Sequence, residues 1–326
     1  MLGRADRVGT TVALPSSASC RDLIRGDTLQ MRVERTLPVT SAPTEPLLHV
    51  PDPTWIVAPT GYRIPVRRFG VGGDGRPVVL LHGLQSHSGW FVQSARRIAD
   101  LGLSVHAFDR CGSGVSAGDT EIGSRLDGLL AEVDAVADRA LAGTRYDSFH
   151  ILGHCFGAIV ALLYAALHRP ARVASVVLAT PALYTRTDLP SRDKMRVLWS
   201  VLRRRPARVP VPLSPAQFSE LEPFIEFVRE DPLALRTVPA RLMYEVLRAR
   251  RRLTRAADAL RAPLLVAIAG DDVICDNPRN RRLLARVTAP KDVLEYSSAR
   301  HILEFSGQRE AFLTDLAAWF TRQEAG

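Results

Sequence analysis

Residues 149–157 read Phe149-His-Ile-Leu-Gly-His-Cys-Phe-Gly157, and Ala158-Ile-Val-Ala-Leu-Leu-Tyr-Ala-Ala-Leu167 follows without a break. The first four residues have the character of a buried strand and the last ten that of a buried helix. The pentapeptide Gly153-His-Cys-Phe-Gly157 between them therefore occupies a strand-to-helix turn. So sharp a turn strains the backbone of its central residue, and a side chain two positions to either side would collide with it. Glycine stands at both places. The bend lifts the Cys155 side chain clear of the chain and sets it at a helix N-terminus, where the dipole and free N–H groups favour negative charge. Cys155 is the candidate nucleophile. The competing reading is a buried, inert cysteine beside a glycine turn, and the presence of a full catalytic set decides between them.

Outward from this turn, short apolar runs alternate with helical patterns from Trp55 onward. Strands are expected at 63–69, 77–82, 104–109, 149–153, 174–180, 263–269 and 292–296, and helices at 90–101, 124–141, 156–168, 280–287 and 309–321. Continuous Val/Ile/Leu strands alternating with helices imply an α/β fold with a mostly parallel central sheet covered on both faces. The alternation breaks between about 183 and 261. There Met195, Leu198, Trp199 and Leu202 recur at helical spacing, as do the pairs Leu242, Val246 and Met243, Leu247, around a proline-rich stretch at 206–215. We expect a core formed by 49–182 and 262–326, a helical cap at 183–261 over the C-terminal edge of the sheet, and core packing for most of the cap's apolar residues. Residues 1–48, rich in Arg, Ser, Thr and Pro without periodicity, are expected to form a loose N-terminal arm.

At 326 residues and 46% hydrophobic composition the chain can bury one large core with an elaboration. The net charge of +9 comes almost wholly from arginine, since lysine occurs only at Lys194 and Lys291. Those arginines are interspersed with acids rather than gathered with aromatic residues on a stripe, which argues against a nucleic-acid partner. Cys20, Cys111, Cys155 and Cys275 lie far apart, with no zinc-ligand spacing, so neither a disulfide framework nor a metal site is expected, and no cofactor is implied. No run approaches membrane-spanning length, and the first residues lack the order of a secretory signal. The expectation is a soluble cytoplasmic protein.

A thiol nucleophile needs a base, a group to orient that base, and donors for the oxyanion. After the expected strand 263–269 comes Gly270-Asp-Asp-Val-Ile-Cys-Asp276, and after the next comes Ser297-Ser-Ala-Arg-His301. Nucleophile, acid, then histidine is one of the known chain orders of such a set, with Asp271, Asp272 and Asp276 all open for the acid. The oxyanion donors are expected to be the backbone N–H groups of Phe156 and of Leu84, the latter beyond a Gly83 turn that permits close approach. His82 and His87 read as scaffold or pocket-lining groups.

Taken together, Val78-Val-Leu-Leu-His-Gly-Leu84, Ser86-His-Ser-Gly89, Asp109-Arg-Cys-Gly-Ser-Gly-Val-Ser116, Gly153-His-Cys-Phe-Gly157, Ala269-Gly-Asp-Asp-Val-Ile274 and the late His301 resemble the α/β-hydrolases, in particular the monoacylglycerol-lipase and serine-aminopeptidase-like group. The resemblance runs from about 55 to 322. It implies an α/β-hydrolase fold with an inserted cap, Asp272 as acid, His301 as base, and Leu84 and Phe156 as oxyanion donors. The chain departs from the group twice: serine usually stands at position 155, and arginine often stands at position 111. Cys111 and Cys275 read as small apolar fillers.

Sulfur in place of oxygen shifts the expected chemistry. Attack on an ester yields a thioester, an uphill step, whereas attack on an acyl thioester exchanges like for like. The first reading is an ester or thioester hydrolase acting through a Cys155 acyl-enzyme, on a small-molecule acyl ester or an acyl thioester carried on coenzyme A or an acyl carrier protein. The second is an acyltransferase that passes the same acyl group to an alcohol or amine. A third, of a different class, is a non-catalytic hydrolase-fold receptor or scaffold.

Overall fold

The computed structural model of the protein describes residues 32–34, 50–58, 61–70, 72–116 and 123–325. Of the expected arm at 1–48, only 32–34 fall within this set. They form a short strand, β1 (Arg32–Glu34), pairing in parallel with the last strand of the sheet, so these three residues depart from a loose arm. The remainder lies outside the described residues.

Among the described residues, nine strands make the main sheet. After β1 come β2 (Thr54–Val57), β3 (Arg63–Phe69), β4 (Val78–Leu81), β5 (Val105–Phe108), β6 (Phe149–His154) and β7 (Val173–Ala179). Beyond the insertion, numbered here in chain order, come β10 (Leu264–Ala269) and β11 (Lys291–Tyr296). The spatial order is β1-β11-β10-β7-β6-β4-β5-β3-β2, parallel from β1 to β5, with β3 and β2 antiparallel at the far edge. β4, β6 and β10 are buried along their whole length, as strands with helices on both faces must be. β2 is an exposed edge, and its short mixed pattern gives little period-2 signal.

Alternation along each central strand divides the core. Val79, Leu81, Ile151 and Val266 face α2 (Leu126–Leu141) and α3 (Phe156–Leu163), whereas Val78, Leu80, Leu152 and Leu265 face α1 (Val92–Ala99) and α9 (Arg309–Ala325). α3 is apolar all round and wholly buried, as suits a helix sandwiched in the core. The expected helix 156–168 is not uniform: Tyr164–His168 closes it with a π-helical turn, held by Tyr164 Oη and His168 Nε2 on Asp134.

Between β7 and β10 the insertion contains α4 (Ser191–Arg203), β8 (Arg208–Pro210), α5 (Glu222–Glu230), β9 (Thr237–Pro239), α6 (Ala240–Arg250) and α7 (Leu253–Ala259), with β8 and β9 paired as a small antiparallel ribbon. The helical spacing in the sequence corresponds to α4 and α6, but the packing expected of it does not hold for α4. Met195, Leu198, Trp199 and Leu202 are 47–69% exposed, and only Val197 is a buried apolar residue of that helix. Periodicity reports that a helix has an apolar face, not that another element covers it. Toward the core, Phe218 O accepts the N–H of Ile302, Gln85 O accepts that of Leu235, and Glu220 accepts the N–H groups of Arg300 and Gly307. The insertion thus binds the loops that carry His301 and the Gly83 turn. α8 (Asn277–Leu284) follows β10 and packs against α7, and among the described residues no helix is long and apolar enough to cross a membrane.

Candidate active site

At the C-terminal end of β6 the chain turns into α3 through Cys155, whose φ of 52° and ψ of −113° place an L-residue in a strained conformation. The strain is held from both sides. The Cys155 N–H donates to Ala179 O at 3.0 Å, and the Cys155 carbonyl accepts from Ala182 at 3.1 Å. A Cβ on Gly153 would lie 2.5 Å from Gly157 O, and one on Gly157 would lie 2.5 Å from Leu81 O, so both glycines are required. The first-turn N–H of Phe156 has no intrahelical acceptor, which leaves it free for a ligand.

The Gly83 turn lies directly against the sulfur. A Cβ built there would stand 3.6 Å from Cys155 Sγ and 3.1 Å from Ser86 Oγ, which itself accepts the Gly83 N–H at 2.9 Å. The N–H of Leu84 has no acceptor among the described residues. Arg110 braces both candidate oxyanion residues: its Nη2 donates to Leu84 O at 2.5 Å, and its guanidinium lies 5.4 Å from the Phe156 ring centroid. Glu132, buried on α2, accepts the Cys111 N–H at 3.2 Å and supplies opposite charge near Arg110.

The candidate acid and base meet at the far side. His301 Nδ1 and Asp272 Oδ2 are 2.8 Å apart with both side chains fully buried, and Asp272 Oδ1 accepts the N–H groups of Ile274 and Cys275 at 2.8 and 2.9 Å. Burial disfavours the Asp272 carboxylate, but the His301 charge and these hydrogen bonds hold its pKa below the usual range. Burial likewise disfavours the imidazolium, yet the neighbouring Asp272 carboxylate, by its charge and its hydrogen bond, holds the His301 pKa well above its ordinary value. His301 Nε2 is buried with no hydrogen-bond partner among the described residues, sulfur included, so it is available to a proton from the nucleophile or the substrate. A nucleophile–base contact commonly tightens only when substrate is bound.

The competing acids are occupied elsewhere. Asp276 caps α8 through the Arg279 N–H at 3.1 Å, and Asp271 is exposed and paired with Arg300 at 3.5 Å. His82 is scaffold: its Nε2 accepts the Arg110 N–H, so Nδ1 carries the proton donated to Gly83 O, and burial followed by the Arg110 charge lowers its pKa to about 3. His87 donates from Nε2 to Asp231 in the insertion at 3.0 Å, and Trp90 Nε1 donates to the same oxygen at 2.6 Å.

Cys275 departs from the filler reading. The turn closed by Asp272 Oδ1 carries its sulfur to 3.7 Å from His301 Nδ1, while Sγ donates to Thr180 O at 3.4 Å. Burial pushes its thiol pKa up, so it stays protonated. Asp272, Cys275 and His301 also offer three ligand atoms within 4.8 Å of one another, but the Asp272–His301 hydrogen bond already uses the imidazole Nδ1. Cys155 and Cys275 are free thiols, and Cys20 lies outside the described residues.

With a strained thiol, free amide donors and an acid-oriented imidazole on one sheet edge, the arrangement has the parts needed for acyl transfer through a covalent intermediate. Comparison with known proteins agrees with this reading of the fold. Residues 75–306 match the family model described as serine aminopeptidase, S33. Human monoglyceride lipase is 26% identical over 261 residues, 77% of this chain and 85% of the relative. Among solved structures, monoacylglycerol lipase from Paleococcus ferrophilus superposes with a TM-score of 0.71 at 23% identity, covering 80% of this chain and 99% of that one. A soluble variant of monoglyceride lipase from Saccharomyces cerevisiae, bound to a substrate analogue, gives 0.73 at 16% identity, covering 87% and 99%.

Proposed function

Because this chain belongs to the serine aminopeptidase S33 family and has the α/β-hydrolase fold, we propose that it is an ester or thioester hydrolase working through a Cys155 acyl-enzyme. The observation that carries the reading is the strained Cys155 elbow packed against the Gly83 turn, on the same sheet edge as the His301–Asp272 pair. In the proposed sequence His301 Nε2 takes the thiol proton as sulfur attacks the acyl carbon, and the Leu84 and Phe156 N–H groups receive the oxyanion. The protonated imidazole returns that proton to the departing alcohol or thiol. Water, deprotonated by the same nitrogen, then attacks the thioester, and the carboxylic acid leaves as Cys155 recovers its proton.

The substrate class proposed is a lipid-like acyl ester, supported by the names of the lipases to which the chain is similar, or an acyl thioester, favoured by the balanced first step at sulfur. The test is incubation with a monoacylglycerol and an acyl-coenzyme A, followed by intact-mass measurement. Acylation that maps to Cys155 and vanishes in Cys155→Ala is the expected result. Turnover undiminished in Cys155→Ala overturns the proposal. An alcohol or amine added to the same reaction tests the acyltransferase reading: an acylated acceptor in place of free acid would establish it.

A further inference from the structure

The insertion carries a charged feature that the acyl chemistry leaves unused. A cleft of about 460 Å³ opens between the start of α2, the end of α4 and the start of α6, and four arginines line it: Arg125, Arg204, Arg205 and Arg241. Arg125, Arg204 and Arg205 have no acidic partner among the described residues. Arg241 is ion-paired through Nη2 with Glu245 at 2.8 Å, yet its Nε is buried with no partner. A second cleft of about 170 Å³ starts at the next residue of α2, Leu126, and adds Arg248, Arg251 and Arg252. Among the described residues, Glu245, buried between Arg241 and Arg248, and Asp127 are the carboxylates lining the two clefts.

The backbone contributes to this arrangement. α4 ends on Arg204 in the left-handed conformation, φ 52° and ψ 34°, where glycine is the usual occupant. That turn presents two consecutive arginines at the lip of the cleft. Guanidinium groups gathered from three elements around one volume repel each other unless an anion lies among them. A single carboxylate, with two oxygens, cannot engage so many forks. A phosphate offers three oxygens and a diphosphate more, in the planar two-point geometry that arginine matches.

We propose that this cleft binds the phosphate-bearing end of a ligand, a phosphate monoester or diphosphate. The cleft joins the start of α2, the helix that follows β5 in the chain, to α4 and α6 of the insertion. Two sources share this chemistry: a soluble carrier such as coenzyme A, and the phosphate-monoester headgroup of phosphatidic acid. The inference that the phosphate is attached to an acyl donor rests on the proposed function, whereas phosphate binding needs no thiol chemistry.

The test uses the full chain bearing Cys155→Ala, so that binding is read without turnover and a failure of the catalytic reading leaves it intact. Inorganic pyrophosphate and coenzyme A are titrated calorimetrically at low ionic strength. Co-sedimentation is measured with phosphatidylcholine vesicles, with and without phosphatidic acid. Pyrophosphate binding is expected, weakened about tenfold or more by Arg204→Ala with Arg205→Ala, and separately by Arg125→Ala should the double variant fold poorly. Coenzyme A binding tighter than pyrophosphate identifies the soluble carrier. Binding to anionic vesicles that pyrophosphate displaces, without coenzyme A binding, identifies the headgroup. Arg192→Ala with Arg196→Ala, elsewhere on α4, should leave binding unchanged. No pyrophosphate binding, or equal losses in this control pair, overturns the proposal.

Discussion

At Cys155 the local sequence and the surrounding fold have different tasks. The two glycines make the bend possible, and the β7 end holds it, through Ala179 O and the Ala182 N–H. The base is set by its partner. His301→Ala is expected to lower kcat/KM by about 10³-fold, because both thiol deprotonation and leaving-group protonation pass through Nε2. Asp272→Asn should cost less and move a titration. Burial alone would lower the His301 pKa, and the carboxylate is the first charge that raises it. Its removal should therefore shift the His301-governed limb of the kcat/KM–pH profile to lower pH, while Asp276→Asn, which loses only a helix cap, leaves that limb in place. A shift in the Asp276 variant instead would reassign the acid. Arg110 is a positioning residue: Arg110→Ala should reduce kcat by about tenfold or more with little change in KM, since the oxyanion exists only along the reaction path. Arg110→Lys should restore part of the rate, a recovery that loss of packing alone would not give.

Among elements, the insertion matters for how it grips the catalytic loops. Asp231 Oδ2 accepts from both Trp90 Nε1 and His87 Nε2, and its Oδ1 accepts the Leu233 N–H, two residues before the Leu235 N–H that binds Gln85 O. One side chain in the insertion therefore secures the segment that follows the Gly83 turn. Asp231→Ala leaves two buried donors unpaired, at about 1–3 kcal/mol each. Urea unfolding should show lower stability, and kcat should fall because the Leu84 N–H is no longer held in place. A variant as stable as the parent, with unchanged kcat, would show that the bridge is dispensable.

Over the whole molecule, the chain end is stitched to the start of the sheet. Glu324, near the end of α9, accepts from His150 Nε2 on β6 at 3.0 Å and from the Arg76 N–H just before β4 at 3.2 Å. The His150 hydrogen bond leads the causes that lower its pKa to about 2. A carboxyl depressed in the folded state adds stability that is present above its unfolded value, near 4.5, and is lost as pH falls through about 2. With the partial solvent screening of this pair, Glu324→Gln should cost about 1 kcal/mol at neutral pH. Denaturant titrations at pH 7 and near pH 2 should find that difference at the first and only a small remainder at the second.

The sequence by itself determined what depends on neighbours along the chain. Val/Ile/Leu runs marked the interior strands, glycines two residues either side of Cys155 marked the elbow, and the order of motifs marked His301 with an acid among Asp271, Asp272 and Asp276, of which the family resemblance singled out Asp272. It left illegible whatever depends on residues distant in sequence. β1 and β2 carry too short a pattern to register, and the apolar stripe of α4 gives no sign that it faces outward. The reach of Arg110 to Leu84, the Cys275 sulfur beside His301 and the cluster of arginines between α2, α4 and α6 arise only when separate elements converge. The physical reason is the range of the forces: periodicity and backbone strain act within a few residues, whereas burial, charge pairing and hydrogen-bond closure are decided by what the folded chain brings into contact.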